Sequence, residues 1–101
     1  DIVFEVNNAY AGGGSPPEHP LVRCVLDVHA DMGAEPEVWP VHPIGIPVAL
    51  WTEALKLPWV GGVPCHAGNK HAANEYAQIE GIRRSEEFLV RFMDRLAEIE
   101  L

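Results

Sequence analysis

Residues 82–101 read IRRSEEFLVRFMDRLAEIEL, and Phe88, Leu89, Phe92, Met93, Leu96 and Ile99 recur at the three-to-four-residue spacing of an amphipathic helix. This predicts a long terminal helix that buries those six side chains, with Arg83 and Glu87 paired one turn apart on its outer face. Working back, Tyr76 to Ile79 reads as extended, and Trp59-Val60 as a short buried strand that follows the stop at Pro58. Pro47 opens a helix expected over Val48 to Leu57, with Leu50, Trp51, Ala54 and Leu55 facing inward. Glu37 to Val41 is a short strand that Pro40 confines to an edge. Pro20 suits a first helical turn, with His19 at the helix start, and the stripe Leu21, Val25, Val28 and Met32 runs until Gly33 ends it. Ile2, Phe4 and Val6 alternate as in a strand, and Asn7 to Pro17, with its GGGSPP run, is a loop or crossover. Strands alternating with helices predict an α/β fold: a small, mostly parallel sheet with helices on its faces. Its edges call for further strands, from this chain or a partner.

The chain of 101 residues is one domain or part of one, and its 48% hydrophobic content supports a modest core. Fifteen acidic against seven basic residues give a net charge of -8, which disfavours contact with nucleic acid or with anionic membrane surfaces. No apolar run reaches the roughly 20 residues of a membrane helix. Cys24 and Cys65 form neither a disulfide framework nor a paired zinc-knuckle spacing, so a reducing, cytoplasmic setting is expected. The start at Asp1, with no initiator Met and no leader, is read as a missing native N-terminus. His19, His29 and His42 read as structural, and Trp39, Trp51 and Trp59 as core side chains.

The chemistry-bearing residues collect in residues 61–80, GGVPCHAGNKHAANEYAQIE, which hold Cys65, His66, His71 and Glu75. Imidazole and thiolate are zinc donors, but a hydrolytic zinc needs three or four ligands and a general base. The set looks like part of a metal site, although on spacing alone a histidine such as His71 is more often solvated or capping. Glu75, four residues beyond His71, is placed to hold that imidazole by a hydrogen bond if the segment turns helically.

Lys70-His71-Ala72-Ala73-Asn74-Glu75-Tyr76, preceded by Leu57-Pro58-Trp59-Val60-Gly61-Gly62 and followed by a terminal helix, resembles the C-terminal end of a zinc-hydrolase superfamily. That superfamily comprises acetylornithine deacetylase, succinyl-diaminopimelate desuccinylase, aminoacylase and carboxypeptidase G. Glu18-His19-Pro20-Leu21-Val22 looks like the helix that opens after its inserted lid domain. The resemblance therefore assigns residues 1–17 to the lid's last strand or the return crossover and loop. Residues 18–101 become the C-terminal segment of a zinc-peptidase-like three-layer catalytic domain.

The resemblance implies a metallopeptidase or amidohydrolase with two zinc ions per full-length subunit, acting on N-acyl amino acids or short peptides. It makes His71 a terminal ligand of one zinc, with Glu75, His66 and Asn74 lining the site or supporting the ligand. The bridging aspartate, the catalytic glutamate and the other ligands belong to the family's N-terminal half, so no catalytic residue is expected among these 101. The isolated chain is expected to be inactive without that half. The sequence departs from the family at His42-Pro43-Ile44-Gly45-Ile46-Pro47, where a Ser/Thr-Asp loop that contacts substrate is usual, and at Cys65-His66-Ala67-Gly68, where Gly-His-Gly is usual.

Two rival readings stand beside this one. The chain is a non-catalytic α/β module that binds a partner or forms a homo-oligomer through its open edges, or it is a small mononuclear metal site built from Cys65, His66, His71 and Glu75.

Overall fold

The computed structural model describes residues 2–3, 9–40 and 45–99. It contains two α-helices, α1 (Pro20–Asp31) and α2 (Ile79–Leu96), a π-helical turn (Leu50–Ala54), and a two-stranded hairpin of β1 (Ala67–Gly68) and β2 (Tyr76–Ala77). The character is mixed α/β, and the sheet among the described residues is antiparallel, pairing Ala67 with Ala77 and Gly68 with Tyr76. Most of the strand expected at Ile2 to Val6, together with Val41 and His42, lies outside the described residues.

α1 begins where the sequence places it. His19 is the N-cap, its Nδ1 accepts the Leu21 N–H at 3.1 Å, and Pro20 occupies the first turn, where a missing N–H removes no helical bond. Its end is equally local. Gly33 takes φ +75 and donates to the Ala30 carbonyl, while Ala34 donates to His29, closing the last turn through a left-handed residue.

The core lies between the two helices. Val25, Val28 and Phe88 are buried together, with Met32, Val60 and Phe92 packed around them. The His29 ring rests on Phe88 with centroids 4.5 Å apart, and Phe88 stacks on Phe92 at 6.2 Å. Polar contacts fix the same interface at both ends. Arg84 donates to the Met32 carbonyl at 2.9 Å, capping α1, and Arg95 reaches Asp27 and Asp31 on the facing turn.

Several expectations need correction. α2 starts three residues before Ile82, and Gly81 in its first turn is buried against Cys65. Leu89 and Met93 are exposed rather than buried, because α1 meets α2 on its Phe88 side and the hairpin stem meets it at Gly81, leaving the Leu89 side open. Arg83 pairs with Glu80 at 3.8 Å, and Glu87 pairs instead with Arg91 at 2.7 Å, since each finds an oppositely charged neighbour on its own row.

The helix expected from Val48 continues only to Ala54. Its π turn, with Leu55 N–H donating to the Leu50 carbonyl, breaks the 3.6-residue register on which the inward set was counted. Val48 is buried there, while Leu50, Trp51 and Leu55 are exposed. Trp39 is also exposed, and its indole N–H donates to Glu37 at 3.1 Å. Trp59 is half-buried, and its segment is irregular rather than a strand: the Trp59 N–H donates to the Ser15 hydroxyl at 2.7 Å, so the Gly-Ser-Pro loop takes the place of a strand neighbour. Residues 37–40 likewise form no strand.

Candidate functional site

The hairpin carries the residues that the sequence singled out. Gly68 admits it: a Cβ there would stand 2.7 Å from Tyr76 Cε1, so the tyrosine ring crosses the strand pair where Gly68 has no side chain. Crossing in this way, Tyr76 reaches His66 just before β1, with Oη 3.2 Å from Nε2 and rings tilted by 50°. The Gln78 N–H donates to the His66 carbonyl at 3.0 Å, extending the stem by one bond. The stem then rests on α2, because Gly81 approaches Cys65 and the His66 backbone closely.

The seven residues 69–75 form the hairpin loop. Asn69, His71 and Asn74 all adopt left-handed backbone, with φ of +56, +60 and +61. Asparagine tolerates this conformation better than most residues, and the Asn69 Nδ2 donates to the Asn74 carbonyl at 3.2 Å, bracing the loop across its base. Ala72 N–H donates to the Asn69 carbonyl at 2.9 Å, tightening the turn that contains His71. Every residue from His71 to Glu80 is exposed.

His71 thus stands at an exposed loop tip and engages no other described residue by hydrogen bond, ion pair or ring contact. The loop is not a helical turn, so Glu75 is not stacked over His71 and makes no hydrogen bond with it. Asn74 acts through its backbone, whose carbonyl receives Asn69. His66 turns to Tyr76, and the half-buried Cys65 sits under the hairpin with its thiol 3.8 Å from the His66 carbonyl.

A zinc centre requires about four donors within roughly 2.0–2.3 Å of the ion. Among the described residues no group of three or more His, Cys, Asp or Glu side chains stands close enough to hold a metal ion. Cys65, His66, His71 and Glu75 therefore do not assemble into a mononuclear site, and His71 by itself offers one imidazole. The described residues do not make up a zinc centre.

One relation was not readable from spacing. The Tyr76 hydroxyl meets His66 ten residues away, and only the hairpin register brings them together. Away from the hairpin, burial and the nearby Arg84 hold the His29 imidazole below its ordinary pKa. Burial pushes the Cys24 thiol up, partly offset by the Arg95 charge. His29 rests on Phe88 of α2 and Cys24 is buried on α1, so neither group belongs to the hairpin.

No helix among the described residues is long and apolar enough to cross a membrane. No protein-family profile, no curated protein and no solved structure matches the chain.

Proposed function

We propose that the chain is the C-terminal segment of the catalytic domain of a zinc-dependent amidohydrolase or metallopeptidase, acting on N-acyl amino acids or short peptides in the cytoplasm. The observation that carries this reading is the presentation of His71: an imidazole at the tip of a braced hairpin loop, engaged with no described residue of its own chain. A histidine presented on a hydrogen-bonded hairpin suits donation to a site whose remaining ligands come from elsewhere. In this reading the mostly parallel sheet of a three-layer domain and the two zinc ions per subunit also depend on residues beyond these 101.

The chain's own contribution is one of positioning. Asn69 and Asn74 hold the loop, while Tyr76 and His66 fix the stem. Since the described residues do not form a metal centre, no reaction step is assigned to them.

The test compares the 101-residue chain with the protein encoded by a longer reading frame that includes the sequence upstream of Asp1. Zinc content and hydrolysis of a panel of N-acetyl amino acids are measured for both, and for His71→Ala in the longer protein. The reading expects two zinc ions and activity in the longer protein, loss of at least tenfold in activity with reduced zinc in His71→Ala, and no activity from the short chain. Amide hydrolysis by the short chain with two bound zinc ions, or an unchanged His71→Ala protein, overturns it.

A further inference from the structure

α2 is apolar around more of its circumference than α1 covers. Ile79, Ile82, Leu89, Val90 and Met93 are 72%, 47%, 47%, 56% and 58% exposed, and at 3.6 residues per turn they project onto one arc of about 100° whose near edge, at Leu89, lies about 100° round the helix from the buried Phe88. Monomeric proteins rarely leave contiguous apolar patches larger than roughly 300–600 Å² open to water, and such patches mark interaction surfaces. The charges around this arc say what fits it. Arg83 lies on its open flank toward one end and Asp94 on the same flank toward the other, and Asp94 has no ion-pair partner among the described residues. Among the described residues Arg83 is held by Glu80 at 3.8 Å, with both side chains largely exposed.

We infer that this face of α2 is a homodimer interface, in which two copies pair antiparallel about a two-fold axis crossing α2 beside Leu89. A two-fold axis of this kind brings the same flank of each helix together and sets Arg83 level with the second copy's Asp94, so the pair forms twice. The same register keeps the two copies of Glu86, the one charge inside the apolar arc, about five residues or ~7.5 Å apart along the helix axis at ~1.5 Å per residue. A pairing centred on Glu86 sets the two carboxylates opposite each other and is disfavoured by their repulsion. Ile82 then faces the second copy's Met93 and Leu96 region, and Leu89 meets its own counterpart. The inference uses no residue of the hairpin, but the hydrolase reading adds domain residues that compete for this apolar face, so the dimer is a property of the 101-residue chain by itself.

Sedimentation velocity on the 101-residue chain over a range of concentrations tests it, with helicity followed by circular dichroism. The expected result is a monomer–dimer equilibrium that Leu89→Glu and Met93→Glu each shift at least tenfold toward monomer while helicity is retained. Arg83→Glu and Asp94→Arg are each expected to weaken dimerisation severalfold, and the double charge reversal to restore it. A monomer at all concentrations overturns the proposal. So does a dimer indifferent to Leu89→Glu and Met93→Glu in folded protein, and a double reversal no tighter than its single variants overturns the antiparallel register.

Discussion

Gly81→Ala sets two effects of opposite sign against each other. Within a helix, alanine in place of glycine is worth about 0.8–1.0 kcal/mol, so α2 alone would gain from the change. The new Cβ, however, would stand 3.0 Å from Cys65 Sγ, 3.1 Å from Cys65 Cα and 3.2 Å from the His66 nitrogen. Two of these three neighbours are backbone atoms, tied by the Gln78-to-His66 hydrogen bond and the adjoining strand pair, so they cannot turn aside as a side-chain tip can. Overpacking of this kind costs about 1–3 kcal/mol. The net expectation is a loss of about 1 kcal/mol, a shift of roughly 4–8 °C in Tm for a domain of this size. Urea unfolding followed by far-ultraviolet circular dichroism measures it, with Glu86→Gly compared with Glu86→Ala to calibrate the propensity term at an exposed position. Adding Cys65→Ala to Gly81→Ala removes one of the three contacts and should recover only part of the loss. A Gly81→Ala protein stabilised by as much as the Glu86 comparison gives refutes the close seating of the hairpin stem on α2.

Three further outcomes are expected. Because the folded-state pKa of His29 lies below its unfolded value, the unfolded chain binds the extra proton first. The stability that neutral His29 contributes is then present above an unfolded pKa of about 6.5 and is lost as pH falls below it toward the folded value. Urea midpoints measured across that window should decline with acidification, and His29→Gln should flatten the decline; an unchanged slope removes His29 as its source. Thiol labelling of native protein at neutral pH should modify the half-buried Cys65 well before the buried Cys24, whose reactivity appears on unfolding, and equal rates contradict the α1–α2 packing. Arg95→Ala should cost about 1 kcal/mol, and part of that cost should vanish in high salt because Asp27 and Asp31 are half-exposed; a cost insensitive to salt assigns it to the arginine stem's packing instead.

The two α-helices were legible in the sequence because their signals are local. A cap at His19, a proline in the first turn, a terminating Gly33 and the spacing around Phe88 each act within a turn or two of themselves. The failures share a different cause. Leu89, Met93, Leu50 and Trp51 have helical spacing, but burial depends on how many elements arrive to cover them, and periodicity does not count neighbours. Trp59-Val60 has strand-like composition, yet its backbone partner is the Ser15 hydroxyl, 44 residues away. In the candidate site, His71 was legible as one member of a short segment rich in glycine and in possible ligands. Its separation from Glu75 was not, because four residues adjoin on a helix and diverge across a loop of left-handed residues.

The backbone at His71 carries a consequence for selection. A left-handed conformation costs a residue with a Cβ about 1 kcal/mol relative to glycine, and although histidine, like Asn69 and Asn74, adopts it more often than most residues, glycine adopts it without that cost. His71→Gly is therefore expected to raise the stability of the chain while deleting the imidazole. A library screened for heat resistance alone would enrich that replacement and score the loss of the candidate ligand as an improvement. Stability and chemistry pull in opposite directions at this one position, so any thermostabilised descendant of the protein needs a functional counter-screen on residue 71.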